Sequence, residues 1–190
     1  MILGLTGTPG TGKTTIARFL SQKNIIVIDL KDIAETHNFI DSYDEQRNSN
    51  ILDVDAIDQY LKSQYSSKEH IVIESHLSHL LSFVETCVVL RCQPPILKKR
   101  LLKREWPWKK IKENIEAEIL DIILAEAIEN HGRNKVMEIN TTDFSAEKSS
   151  QQIYHFSQGK PTQHIVKPGS FDWSEYLFDS AVMEKETYGS

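Results

Sequence analysis

Apolar residues along the chain gather in five short runs, and amphipathic stretches separate them. "ILGLT" (2–6), "NIIVID" (24–29), "HIVIES" (70–75), "TCVVLRC" (86–92) and "KVMEIN" (135–140) are near-continuous apolar segments of strand length. Between them, apolar positions recur at helical spacing over 14–22, 31–39, 53–65, 94–105, 107–130 and about 144–157. Prolines open the fourth and fifth of these stretches, and "HG" at 131–132 closes the fifth, the punctuation expected of helix starts and stops. Strands that are apolar throughout and alternate with helices predict a parallel sheet covered on both faces. The polar, acidic stretch 40–50 reads as a loop. From residue 158 the rhythm stops, and the remainder reads as a linker with one short helix, "FDWSEYLF".

The turn between the first strand and first helix is chemically the most informative. Gly7-Thr8-Pro9-Gly10-Thr11-Gly12-Lys13-Thr14 fits G-x-x-x-x-G-K-[ST] in full, in the strand–loop–helix context that the motif requires. Glycines allow backbone N–H groups to turn toward phosphate oxygens, and the helix N-terminus adds favourable partial charge. Lys13 can reach the β- and γ-phosphates, and the Thr14 hydroxyl can ligate Mg²⁺. The loop is therefore expected to bind a nucleoside triphosphate.

The third strand exits through Glu74, His76 and His79. Ligands of open parallel sheets lie at the carboxyl ends of the strands. A carboxylate there can hold Mg²⁺ directly or through water, and a histidine can orient water or pass a proton. The competing readings are a strand-end charge for Glu74 and core or capping histidines for His76 and His79. "LKKRLLKREWPWKKIKEN" (97–114) carries Arg100, Arg104 and six lysines. Such a run is either a solvated helix face or, beside a phosphate site, a lid whose arginines neutralise developing charge. Trp106 and Trp108 are either core residues or a contact for a base.

Bulk properties narrow the setting. The chain has 190 residues and a formal net charge of −5. It is long enough for a full core, and its acidity disfavours broad or sequence-specific nucleic-acid binding. No segment is long and apolar enough to span a bilayer, and "MILGLTG" carries no export signal, so a cytoplasmic protein without membrane association is expected. Cys87 and Cys92 lack metal or redox spacing and read as reduced cysteines. Six carboxylates between Asp41 and Asp58 form either a solvated surface or a docking face for a basic partner.

Taken together, "TGTPGTGKTT", "IDSYDEQRNSNILDVDAI", "VIESH", "LLKREWPWKKIKENIEAEI" and "GSFDWSEYL" resemble the adenylate-kinase-like NTPases of ribosome assembly, through about residue 178. The resemblance implies an α/β P-loop nucleoside monophosphate kinase fold, with five parallel strands in the order 2-3-1-4-5, helices on both faces and a short lid. It implies a kinase core over 1–157, with a monophosphate-binding segment at about 30–53 and a lid at about 103–113, followed by a C-terminal linker and helix over 158–190. It implies Mg²⁺-dependent transfer from ATP to AMP, ATP hydrolysis, and action in small-subunit maturation with a platform ribosomal protein as partner. Carried over by position, Gly7, Gly10, Thr11, Gly12, Lys13, Thr14, Thr15 and Arg104 would bind ATP. Lys13, Glu74, His76, Arg100 and Arg104 would be catalytic, and Thr14 and Glu74 would face the metal.

The chain departs from the family pattern twice. Glu74 replaces an aspartate of the eukaryotic members. "DIAE", ending in Glu35, stands where adenylate kinases carry a "DLAR"-like arginine for the AMP phosphate, and Arg47 is a candidate substitute. Three alternatives stay open on the residues: an ATPase assembly factor with little kinase activity, a small-molecule kinase of the shikimate or gluconate type, and a nucleotide-binding protein without turnover.

Overall fold

A computed structural model describes residues 1–45, 49–65 and 69–185. The elements run β1 (Ile2–Gly7), α1 (Lys13–Leu20), β2 (Ile26–Asp29), α2 (Leu30–His37), β3 (Ile40–Asp44), β4 (Ser49–Leu52), α3 (Val54–Gln64), β5 (Ile71–Glu74) and β6 (Thr86–Arg91). They continue with α4 (Pro94–Leu102), α5 (Trp108–Ile119), α6 (Ile122–His131), β7 (Val136–Asn140), α7 (Ala146–Ser157), β8 (Ile165–Val166) and α8 (Ser180–Met183).

The main sheet has the order β2-β5-β1-β6-β7-β8. Its first five strands are parallel and follow the expected 2-3-1-4-5 order. β8 adds a sixth, antiparallel to β7, which the sequence reading did not anticipate. Side chains alternate across β1. Leu3 and Leu5 pack with Ile16, Leu20 and Ile153 of α1 and α7. Ile2 packs on the other face with Ala34, Ile57, Leu61, Leu124 and Ala127 of α2, α3 and α6. Helices thus cover both faces, as expected of strands apolar throughout. A third cluster joins Leu97 and Leu101 of α4, Ile111, Ile115 and Ile119 of α5, and Trp173 and Val182 of the C-terminal segment.

Two expectations need correction. The stretch 40–50 is not simply a loop: β3 and β4 pair antiparallel there, with Ile40 opposite Leu52 and Asp44 opposite Ser49. Ile40 and Leu52 pack against the core, which anchors the base of the hairpin. Arg47 lies outside the described residues. The long helix over 107–130 is two helices, broken at Asp121, whose backbone is left-handed with φ 55°. The Asp121 carboxylate pairs with the buried Arg91 guanidinium, an attraction that holds the break where neither glycine nor proline marks it.

Candidate nucleotide site

The loop after β1 is held in place by contacts that only glycine permits. At Gly7 (φ 134°) a Cβ would lie 2.5 Å from the Leu90 carbonyl oxygen. At Gly10 (φ 96°) it would lie 2.9 Å from Leu97 and Leu101 of α4. The loop therefore sits directly on β6 and α4. α1 then begins with no side chain capping its N-terminus, whereas Asp29, Asp53 and Ser145 cap α2, α3 and α7. An uncapped helix start leaves amide donors for an anion.

Lys13 is buried, and its ammonium donates to the Gly7 carbonyl (2.7 Å) and the Thr8 carbonyl (3.2 Å). Burial pushes its pKa down to about 8; the neighbouring Glu74 carboxylate opposes that shift and the Arg104 charge adds to it. The Thr14 hydroxyl donates to Glu74 Oε1 at 3.3 Å. Glu74 ends β5 opposite Asp29, which ends β2. Burial raises the pKa of Glu74, and the charge of Asp29 raises it further. Asp29 is raised too, again chiefly by burial. Thr14 and Glu74 are hard oxygen donors beside the phosphate-binding loop, and this set fits Mg²⁺, which takes one or two protein ligands and completes its shell with phosphate and water.

The two histidines part company. His76 follows β5 and is exposed. Crowding by the protein, and then the charge of Lys13, hold its pKa below the ordinary value, so it is neutral at pH 7. His79 is buried at 1% exposure, with Nδ1 2.9 Å from the Thr6 hydroxyl and Nε2 3.0 Å from Glu126. It belongs to the core.

The arginines lie on the other side of the loop. Arg100 projects from α4 and donates to the Thr141 carbonyl (2.8 Å). Arg104 lies beyond the helix end and stacks over Trp106 at 5.0 Å, with Lys110 on the same ring at 4.5 Å. Trp106 and Trp108 pack against the third cluster, which answers the core-or-base question for their apolar surface. Arg100 and Arg104 line a pocket of about 290 Å³ with Gly10, Thr11, Gly12 and Thr15. The structure thus brings Gly10, Thr11, Gly12, Thr15 and both arginines to one cavity, while Lys13 and Thr14 of the same loop meet Glu74, and the charge of Lys13 also reaches His76.

Sequence reading missed several residues. The far wall of the pocket is Thr141, Phe144, Ala146 and Ser149, from the β7–α7 connection and the first turns of α7; no motif marks them. Asp29 had a signal: an acidic strand end, on the strand expected to lie beside the one ending in Glu74. Glu118 gave none. It is buried on α5, and Thr8 donates to its Oε2 at 2.5 Å. Among the described residues no group of three or more His, Cys, Asp or Glu could hold a metal ion, and no helix is long and apolar enough to cross a membrane.

Comparison with known proteins adds three kinds of likeness. A family model described as an AAA domain matches residues 3–121. A protein of Methanosarcina barkeri named "Putative adenylate kinase" is 42% identical, over 93% of this chain and 100% of its own. Proteins of the same name from Archaeoglobus fulgidus (37%; 94% and 95%) and Methanocaldococcus jannaschii (35%; 97% and 99%) match almost end to end. Among solved structures, shikimate kinase from Acinetobacter baumannii superposes with a TM-score of 0.56 at 14% identity, over 83% of this chain and 93% of that one. TT1252 from Thermus thermophilus gives 0.52 at 14%, over 85% and 98%. Identity that low carries the fold alone.

Proposed function

The chain belongs to the family of these archaeal adenylate-kinase-named proteins, and from that membership we propose that it is a Mg²⁺-dependent nucleotide kinase that transfers the γ-phosphoryl group of ATP to AMP, and that hydrolyses ATP when water takes the acceptor's place. The observation that carries the reading is the complete phosphate-binding loop, with Lys13 inside it, the Thr14–Glu74 pair at its edge and two arginines on the adjoining pocket.

The residues divide the work. The amides of the loop and of the α1 N-terminus hold the ATP phosphates. Lys13 exchanges its two carbonyl partners for phosphate oxygens. The pocket between Arg100, Arg104 and Phe144 takes the base and sugar. Thr14 and Glu74 would hold Mg²⁺, which supplies charge neutralisation on the phosphates when bound. An oxygen of the AMP phosphate attacks the γ-phosphorus in line as the bond to the β-phosphate oxygen breaks. Arg104, on an exposed turn, reaches the transferring group as the lid closes and excludes water. His76, neutral and open to solvent, is the group assigned to orient an attacking water when no acceptor is bound.

The family resemblance extends the proposal to a role in small-subunit maturation, with a basic platform ribosomal protein docking on the acidic segment from Asp41. The chemical reading is tested by Lys13→Ala. Loss of one preorganised charge at a transferring phosphoryl group is expected to cut kcat by about 10²- to 10³-fold. Turnover at the wild-type rate would refute the site.

A further inference from the structure

We propose that Glu118 is a positioning residue for ATP: through the Thr8 hydroxyl it fixes the phosphate-binding loop from the helix that leaves the lid. The inference rests on the nucleotide reading above and adds to it a residue that no loop motif contains.

Thr8 is the second residue of the loop and is buried at 1% exposure. Its carbonyl accepts from Thr11 N (3.2 Å), the Thr11 hydroxyl (2.9 Å) and Lys13 Nζ (3.2 Å). Its hydroxyl donates to Glu118 Oε2 at 2.5 Å. Pro9 follows, and proline has no N–H to tie the next step of the loop. The other oxygen of Glu118 accepts from Arg91 Nε and from Cys92 N, both at 3.0 Å. Arg91 is itself fixed by Glu138 (2.5 Å) and by Asp121. Glu138 in turn accepts from Gly169 N (2.5 Å) and Ser170 N (3.0 Å). Glu118 is therefore rigidly held, and Thr8 is the point at which that rigidity reaches the loop.

Simple packing does not account for this arrangement. A buried carboxylate behind a loop that receives a polyanion opposes binding by its charge, and buried ion pairs can often be replaced by apolar groups without loss of stability. What the carboxylate supplies is direction. When Lys13 leaves the Gly7 and Thr8 carbonyls for phosphate, Thr8 loses one of its ties, and the bond to Glu118 keeps the loop from following the lysine. Glu118 also lies on α5, which starts at Trp108, four residues after Arg104. One helix thus carries the lid's exit at its start and the loop's anchor near its end. The ATP-ready loop and the lid are referred to the same rigid body.

The test is the equilibrium affinity for Mg·ATP, with melting temperatures alongside, for wild type, T8V, T8S, E118Q and the T8V/E118Q double variant. A buried hydrogen bond to a charged acceptor sets the scale. T8V and E118Q are each expected to weaken ATP binding by about tenfold, and the double variant by no more than the worse single. T8S keeps the hydroxyl and is expected to recover most of the affinity. T8V binding ATP as tightly as wild type while melting lower would overturn the proposal, since the bond would then serve the fold alone. Losses that multiply in the double variant would overturn it too. If E118Q does not fold because Arg91 loses a partner, the contrast between T8V and T8S decides. Wild type failing to bind ATP would instead refute the function on which the inference stands.

Discussion

At the scale of single residues, Lys13 is the group whose chemistry constrains function most. Burial brings its pKa down from 10.5 to about 8. Below that pH the lysine is an ammonium and can hold phosphate. Above it the free enzyme loses the charge, so kcat/KM for ATP is expected to stay level at pH below about 8 and to fall as pH rises beyond it. A profile that remains flat from pH about 7 to about 9.5 would contradict the assignment. Lys13, Thr14 and the loop glycines were legible in the sequence because the motif encodes backbone geometry directly. The sequence favoured His76 over His79 as the functional histidine, and the structure agrees on His79: both follow the third strand, and the packing of α6 brings Glu126 to the His79 ring while His76 is left exposed. Glu118 was illegible for a different reason: its partners Thr8, Arg91 and Cys92 lie far along the chain, and a lone glutamate on an amphipathic helix reads as surface.

At the scale of elements, strand and helix types followed from periodicity, while breaks and short pairings did not. The α5–α6 break depends on a charge pair with Arg91, thirty residues away. The β3–β4 hairpin was hidden by polar composition, since only its base reaches the core. The acidic segment from Asp41 to Asp58 is partly redefined by its folding. Asp58 is buried and accepts from Lys62, Ser82 and Phe83, so it cannot present charge to a partner. Asp53 caps α3. The carboxylates left on the surface lie mainly on β3 and around the start of α3, beside the exposed Tyr43 and Ile51. If a basic ribosomal protein docks there, its affinity should fall several-fold between low and physiological salt. Affinity indifferent to salt would contradict a charge-driven contact.

At the scale of the whole molecule, the order of the parallel strands places the acidic ends of β2 and β5 and the loop after β1 along the carboxyl end of the sheet, and that order is the one the family resemblance implied. What the sequence could not convey is how the C-terminal segment joins this body. β8 extends the sheet, Trp173 and Val182 complete the core formed with α4 and α5, and Lys98 on α4 donates to the carbonyls of Ala181 and Glu184. These contacts are weak in pattern and long in sequence separation, so no local signal announces them. The whole assembly also frames the acceptor question. Glu35, where the resemblance expects an arginine, pairs with Lys31 at 3.6 Å on an exposed face of α2 and presents negative charge instead of positive. The most direct test of the central claim is therefore product analysis with Mg·ATP, with and without AMP. The account predicts two ADP formed for each AMP consumed, with free phosphate appearing mainly when AMP is withheld. Free phosphate released at one rate whether or not AMP is present, with no AMP consumed, would contradict it and leave an ATPase in place of a kinase.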